Sequence, residues 1–341
     1  MRVALVCSAS CQPALAGIVT SLTQRGHQVD VHAPDVTAET VGGVGHGLAD
    51  QLAITDRPDV VLGLGAEAGL AGQLATRDTP VPAAVRLSRV GRTPLDDADR
   101  LSVAVARHAA LVLVPSVGEL DRLADLGVRR DRLTVVPEAV DRARFRDSNP
   151  PDQVEGPLRI GILAGQSETA GVVQPFVALG TCVAVALDPC GGDEALAAAL
   201  RSTHAVLVTD DTDAEVGLVL RAMSCGRPVV AAEHGILTDL VADGVTGLLA
   251  PKDSLTEALR SLAADPLRRI SLGLAGVDRV AARFTTEVVG AALDRALQQL
   301  IRAATPPGPE ADNAPDPADW PDLADISGSA GSANAGEEVG V

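Results

Sequence analysis

The sequence has very few aromatic side chains and almost no lysine. Its 341 residues contain no tyrosine, one tryptophan and three phenylalanines, and Lys252 is the single lysine among 28 basic residues. We interpret the preference for arginine as genome composition rather than as a binding function. Hydrophobic residues still make up 46% of the chain, so the core must consist of alanine, valine and leucine. This length is sufficient for two domains, each with its own core.

Basic residues are also outnumbered by acidic ones. The net charge of −17 excludes nucleic acid and anionic membrane as partners of the molecule as a whole. Residues 305–341 contain eight acidic residues and no basic one, so this segment supplies −8 of the −17. Because it consists largely of Pro, Ala, Gly, Ser and acidic residues, we predict a disordered acidic tail. Trp320 within it is interpreted as a solvated residue, with a docking anchor as the alternative.

The sequence lacks the features of an exported or membrane-spanning protein. No segment has about 18 uninterrupted apolar residues, as a membrane-spanning helix would need, and the apolar run at the N-terminus is too short for a signal peptide. The five cysteines contain no C-x-x-C pair, and their odd number indicates free thiols in a reducing compartment. We therefore predict a cytoplasmic protein. The histidines other than His234 show no metal-ligand spacing, and no metal site is predicted.

Short apolar segments alternate with helical segments along the chain. Val3–Val6, Val29–His32 and Leu111–Val114 read as strands, and the first and last of them are apolar on both faces. This pattern is typical of a parallel sheet covered by helices. The spacing Ser-x-x-Glu at Ser116 and again at Ser254 predicts a capping box at the start of two helices.

A polar, proline-rich segment at 146–157 predicts a linker between two α/β halves. The alternation then restarts, with strands predicted near 182–186, 205–208 and 228–231 and a last long helix over 286–303. We therefore expect an N-terminal Rossmann-like domain over residues 1–150, a C-terminal one over 157–304, and the acidic tail over 305–341.

Two segments carry a resemblance to a known family. They are SVGELDRLADLGVRRDRLTVVPEAVDRARF at 116–145 and GLVLRAMSCGRPVVAAEHGILTDLVADGVTGLLAP at 217–251. In combination they resemble the family 4 glycosyltransferases, and the resemblance covers roughly residues 1–300. It implies the GT-B fold, in which two Rossmann-like domains face each other and a C-terminal helix crosses between them. It also implies metal-free, retaining transfer of a sugar from a nucleotide diphosphate sugar to a small-molecule or glycan acceptor.

The carboxylate pair that the family uses to bind the donor is altered. In the E-x7-E arrangement, Asp213 stands at the first position and Arg221 at the second. An arginine cannot accept hydrogen bonds, and losing one charged hydrogen-bond pair costs about 1.5–3 kcal/mol. A shift of one residue would bring Glu215 nearer the first position, and the glycine that usually follows that position is displaced to Gly217.

The phosphate-binding segment also departs from the family pattern. In GQSETAG at 165–171, Gln166 and Ala170 replace the family's arginine and lysine, so both cations are lost. Diphosphates need such charged donors or the amides of a helix N-terminus. The donor-binding residues that the resemblance implies are Gly165, Gln166, Glu215, Gly217, Arg221, His234 and Gly235, with no metal and no cofactor besides the nucleotide-sugar co-substrate.

The acceptor side lacks the histidines that the family often shows. Leu62 and Leu64 occupy two of those positions and Ser88 a third. A serine is neither an acid nor a base near neutral pH. Asp213 and Ser88 are the predicted catalytic residues.

Two functions follow from this pattern. The first is sugar transfer from a nucleotide diphosphate sugar, with weakened chemistry; the alternative is a catalytically inactive GT-B protein that binds a partner, including a protein partner. The sequence does not indicate a dinucleotide-dependent enzyme, because no G-x-G-x-x-G follows the first strand of either half.

Overall fold

The N-terminal half forms a parallel α/β sheet. In the computed structural model, the chain is described over residues 1–7, 12–34, 40–54, 57–90, 95–146 and 157–304. The sheet has six strands in the order β2-β1-β3-β4-β5-β6, and every neighbouring pair is parallel. Its elements are β1 (Arg2–Cys7), α1 (Gln12–Thr23), β2 (Gln28–His32), α2 (Val41–Ile54), β3 (Val60–Leu64), α3 (Ala66–Thr76), β4 (Ala83–Arg86), α4 (Asp97–His108), β5 (Leu111–Val114), α5 (Val117–Asp125) and β6 (Leu133–Val135).

The C-terminal half repeats this design with five parallel strands. Their order is β11-β10-β9-β7-β8. The elements are β7 (Leu158–Leu163), α6 (Ser167–Ala178), β8 (Cys182–Leu187), α7 (Asp193–Ser202), β9 (Ala205–Val208), α8 (Asp213–Ser224), β10 (Val229–Ala232), α9 (Leu237–Leu240), β11 (Gly247–Ala250), α10 (Leu255–Ala264), α11 (Pro266–Arg283) and α12 (Thr286–Ala304).

The inner strands are buried on both faces, as the continuous apolar runs predict. Every residue of β3, β5, β9 and β10 is buried, whereas the edge strands β2 and β8 are partly exposed. The helices lie close to the sheet where glycine allows it. A Cβ added to Gly63 on β3 would lie 2.4 Å from the Cα of Gly69 on α3. The predicted architecture of two parallel α/β sheets is confirmed.

The last helix, α12, returns to the N-terminal half and packs on α1. Its residues Val289, Leu293 and Leu297 belong to the same apolar core as the first strand. Asp294 accepts hydrogen bonds from Arg25 at 3.1 Å and Gln298 at 2.7 Å, and it lies 3.0 Å from His27. Burial alone would raise the pKa of Asp294, but these neighbours hold it below its usual value. The predicted C-terminal crossover helix is therefore present.

One of the two predicted capping boxes is half formed and the other is absent. Ser116 caps α5 by accepting a hydrogen bond from the amide of Glu119 at 3.2 Å. The Glu119 side chain does not return the bond and instead binds the amide of Val90 at 3.2 Å. Ser254 makes no side-chain cap, because a 3-10 turn over 252–254 leads directly into α10, so that prediction was wrong.

Several predictions lie outside the described residues. These are most of the linker at 146–157, the acidic tail over 305–341 and Trp320 within it. Among the described residues, no helix is long and apolar enough to cross a membrane.

Candidate active site

A cleft of about 510 Å³ lies between the two halves. Its walls come from segments that follow the carboxyl ends of β4, β5, β9, β10 and β11, where parallel α/β sheets bind their ligands. The cleft is lined by Arg89, Val90, Ser116, Gly118, Glu119 and Arg122 of the N-terminal half and by Asp210, Asp211, His234, Gly235, Ile236 and Lys252 of the C-terminal half.

Two polar contacts join the halves across this cleft. Arg89 lies 3.4 Å from the buried carboxylate of Asp211, and the amide of Gly118 donates to Asp239 at 3.2 Å. Both contacts place a side chain of the second half against a loop or helix start of the first. The two sheets are thereby held with their carboxyl ends facing one cavity.

The loop that connects β9 to α8 is fixed by Glu215. Thr212 caps α8 by accepting from the amide of Glu215, and it donates its hydroxyl to that carboxylate at 3.1 Å. Glu215 also accepts from the amides of Thr209 and Asp210. Burial raises the pKa of this carboxyl group, and the side chain is 1% exposed. Glu215 stays a predicted donor-binding residue; in the structure its carboxylate accepts from the Thr212 hydroxyl and from two loop amides, and so holds the loop.

His234 and Gly235 lie in the cleft beside this loop. Gly235 has a φ of 54°, and a Cβ there would lie 1.8 Å from a carboxylate oxygen of Asp211. Glycine is therefore required for two reasons, its left-handed backbone and the close approach of the carboxylate. The ring of His234 lies 3.3 Å from the carbonyl oxygen of Thr209 and 3.9 Å from Asp211.

A second group of charges surrounds α8, with Asp213 in its first turn, Arg221 in its last turn, and Arg86 and Glu138 from the N-terminal half. Burial lowers the pKa of Arg86, while the charges of Glu138 and Asp213 act to raise it. Burial raises the pKa of Glu138, and the charges of Arg86 and Arg221 act to lower it. Arg221 also lies over the ring of Phe145, 5.5 Å from its centroid. The arginine that replaces the family's second carboxylate is therefore held by an aromatic ring and faces a glutamate.

Gly217 makes room for Arg221 on the same helix. A Cβ added to Gly217 would lie 2.4 Å from a guanidinium nitrogen of Arg221. The displaced glycine is thus explained by contact between residues four apart on one helix face.

The other predicted site residues are not among those that line the cavity. Ser88 is exposed on the loop after β4. Gly165 has a φ of 83° in the turn after β7, and Gln166 follows it at the start of α6 without capping the helix through its side chain. Asp213 is the first residue of α8.

Sequence reasoning missed most of the charged residues that line the cleft. They include Arg89, Arg122 and Lys252 as cations and Asp210 and Asp211 as anions. Four of the five share one feature, which is that they follow the carboxyl end of a strand within a few residues. The scarcity of lysine was attributed to genome composition, yet the single lysine, Lys252, lines the cleft.

The fold and the site together define a class of protein. In this class two Rossmann-like halves enclose a ligand-sized cleft, and a C-terminal helix crosses from the second half back to the first. The chain matches two family models, the glycosyl transferase 4-like domain over residues 42–139 and the glycosyl transferases group 1 over residues 182–265. The chain belongs to the family 4-type glycosyltransferases with the GT-B fold.

Individual relatives and solved structures agree with this assignment. The chain is 30% identical over 233 residues to a D-inositol 3-phosphate glycosyltransferase from Actinosynnema mirum. The aligned region is 61% of this chain and 54% of the relative. The chain thus spans about half the length, or less, of the curated relatives it matches.

Sucrose-phosphate synthase from Thermosynechococcus elongatus has a similar fold, with a TM-score of 0.72 and 16% identity, over 89% of this chain and 100% of that one. Anabaena HepE, solved in complex with UDP, has a TM-score of 0.66 and 15% identity, over 88% and 100%.

Proposed function

We propose that this protein transfers a sugar from a nucleotide diphosphate sugar to an acceptor hydroxyl group, with both substrates meeting in the cleft. The observation that carries the proposal is the cavity itself, because the carboxyl ends of both parallel sheets contribute to its walls. Its volume of about 510 Å³ is within the range of small-molecule sites. The alternative of a catalytically inactive binding protein is not favoured by the relatives from Kribbella flavida and Actinosynnema mirum, which are named as glycosyltransferases.

The cleft offers cations that can replace those lost after β7. Arg89, Arg122 and Lys252 come from three different segments and converge on one cavity. Two guanidinium nitrogens of Arg122, Nε and Nη2, are buried and have no hydrogen-bond partner among the described residues. Unpaired buried donors of this kind are costly unless a ligand binds them. These three side chains are therefore the proposed phosphate-binding groups, Arg89 and Lys252 for the donor diphosphate and Arg122 for a phosphate group of the acceptor.

Asp213 and Ser88 stay the proposed catalytic residues. Asp213 lies in the first turn of α8, close enough to Arg86 and Glu138 to affect both of their pKa values. A carboxylate in this place can accept a hydrogen bond from a sugar hydroxyl group, and His234 and Gly235 are proposed to contact the same donor. Asp213→Asn is expected to reduce kcat more than it raises KM.

The name of the relatives suggests an acceptor class that can be tested. The Actinosynnema protein is named for D-inositol 3-phosphate, and the unpaired nitrogens of Arg122 suit an anionic group. We propose a phosphorylated polyol as the acceptor. The reaction is further proposed to occur in the cytoplasm, which the free thiols of Cys182 and Cys190 support.

Calorimetric titration with UDP, GDP and ADP, and with their common sugar conjugates, tests the donor site. We expect one nucleotide to bind with micromolar affinity. Lys252→Ala should weaken this binding about tenfold, because it removes one charge-assisted contact. The matched control is Arg100→Ala, since Arg100 is an exposed cation paired with Asp97 on α4, away from the cleft.

Product analysis then tests the transfer. Each conjugate that binds is incubated with D-inositol 3-phosphate or with unphosphorylated inositol, and release of free nucleotide is measured. Transfer to the phosphorylated acceptor alone would support the role of Arg122. Absence of binding to every nucleotide and conjugate would contradict the proposed function.

A further inference from the structure

One edge of the C-terminal sheet lacks the protection that the other sheet edges have. The two described sheets have four edge strands, β2, β6, β8 and β11. β6 and β11 have only three and four residues, and β2 alternates valine with polar residues, of which Asp30 pairs with Arg2 at 2.8 Å. Short strands and charged side chains are the usual means by which proteins prevent pairing at a sheet edge. β8 has neither, since it is six residues long with the sequence CVAVAL.

The outer side of β8 presents backbone donors and acceptors. The carbonyl oxygen of Thr181 accepts a hydrogen bond from the amide of Leu158, which lies on the β7 side. Because the backbone groups of successive strand residues point in opposite directions, those of Cys182, Ala184 and Ala186 point away from β7. No strand of the described part of the chain lies on that side. The edge therefore offers a row of N–H and C=O groups to another strand.

The surface around this edge carries no charge. Residues 170–187, which cover most of α6 and all of β8, contain no acidic or basic side chain, although charged residues make up 21% of the chain. Much of this segment is nevertheless exposed, since Leu179 is 77% exposed and Val183 43%. Ala184 and Ala186 are exposed as well. An uncharged, apolar surface around an open strand edge marks a site of interaction with another chain.

We propose that β8 pairs in antiparallel orientation with β8 of a second copy of this chain, so that the two C-terminal sheets become one continuous sheet. A two-fold axis at Ala184 places this residue opposite itself and Cys182 opposite Ala186. The outward-facing backbone groups then meet and exchange about six hydrogen bonds. Val183 of one copy faces Val185 of the other, and β-branched pairs of this kind stabilise antiparallel strands. The two-fold symmetry closes the assembly at a dimer.

Charge favours a second copy over the acidic tail as the occupant of this edge. Residues 305–341 contain eight acidic residues and no basic one, and residues 170–187 contain no cation that would bind them. Two copies with a net charge of −17 repel each other over most of their surfaces, but contact at an uncharged edge brings no like charges together. In the proposed ribbon the two Asp188 residues lie about 27 Å apart, because each is four residues from the axis at about 3.4 Å per residue. That separation is well beyond the Debye length of about 8 Å.

The proposed dimer leaves the cleft open and does not depend on the proposed function. None of the residues that line the cleft belongs to the segment 170–187. Because two strands of six residues form a small interface, we expect a weak dimer with a Kd on the order of 10 µM.

Sedimentation velocity of the full chain at about 1–100 µM tests this pairing. We expect the parent to change from monomer to dimer over this range. Ala184→Pro removes an outward N–H, which an edge strand tolerates in the monomer, and Val183→Lys places a charge within the ribbon. Each should raise the Kd of the dimer at least about tenfold. The matched control is Val31→Lys, the same substitution at a valine of similar exposure on the edge strand β2, and this variant should dimerise like the parent.

Amide hydrogen exchange of the full chain, measured at both ends of this concentration range, identifies what covers the edge. Thermal unfolding shows whether each variant is folded, and Val183→Lys alone decides if Ala184→Pro is not. Slower exchange at Ala184 and Ala186 at the higher concentration, with loss of the dimer in the folded β8 variants, supports the inference. Protection of these amides that is already complete in the monomer means that a segment of the same chain covers the edge, and it overturns the inference. A chain that stays monomeric throughout, or a dimer that persists in a folded β8 variant, overturns it as well.

Discussion

Arg221→Glu restores the carboxylate that the family places at this position, and we expect it to destabilise the protein. Arg221 lies over Phe145, and its charge acts on Glu138. The substitution removes a cation–π contact worth roughly 1 kcal/mol. It also places a negative charge near Glu138 in place of a positive one. Because solvent screens charges in a partly exposed site, this repulsion costs only about 1–2 kcal/mol more. The free energy of unfolding should therefore fall by about 2–3 kcal/mol.

Urea denaturation of four proteins measures this effect: the parent, Arg221→Glu, Glu138→Gln and the double variant. Glu138→Gln should recover about 1 kcal/mol of the loss, because it removes the repelling charge. Arg295→Glu, at an exposed position on α12, is the control for a charge reversal on a helix. Additive effects of the two substitutions, or a loss no larger than that of the control, would refute the reasoning.

The same variants should differ in their pH dependence. Burial raises the pKa of Glu138 in the folded state, and loss of the cation at Arg221 raises it further. A carboxyl group whose pKa is raised in the folded protein favours folding most at pH values below its pKa in the unfolded chain, which is about 4.3. The free energy of unfolding then falls as the pH rises through the pKa of the folded protein. The defect of Arg221→Glu should thus be smaller at pH 4 than at pH 8.

Three further predictions concern stability and are measured by urea denaturation. Asp294→Asn should cost about 1.5–3 kcal/mol at pH 7. Because its folded-state pKa is lowered, this difference should persist down to about pH 4 and fade below it. Gly63→Ala should cost about 3 kcal/mol by overpacking against α3, whereas Gly47→Ala, in open space on α2, should gain about 0.4–1 kcal/mol. Thr212→Ala should cost about 1 kcal/mol and Ser254→Ala much less, since only Thr212 caps its helix.

The fold could be predicted from the sequence because its signals are local. The apolar runs that became β5 and β9 have no polar interruption, and such runs are stable only between layers of helices. Ser116 was correctly predicted as a cap from its own spacing. Ser254 has the same spacing, but the preceding proline starts a 3-10 turn, and the side chain is not needed there.

The site was harder to predict, because its residues meet only after folding. The environment of Arg221 depends on Phe145, which is 76 positions earlier, and on Glu138 from the other half. Glu138 and Arg221 carry opposite charges, and the charge of Arg221 lowers the pKa of Glu138. Taken alone in the sequence, Arg221 looks only like a lost carboxylate. Thr212 gave a local signal that was overlooked, since Thr-x-x-Glu starting at Thr212 has the spacing of a capping box and Thr212 caps α8.

The single lysine gives this protein an unusual chemical property. Amine-directed reagents can modify only Lys252 and the N-terminal amine, and Lys252 is exposed at the rim of the cleft. Reductive methylation with ¹³C-formaldehyde would therefore introduce one side-chain NMR reporter beside the ligand cavity. A lysine-specific protease would likewise cut the chain at one position, directly after β11, and protection from that cut would report occupancy of the cleft without any assay of sugar transfer.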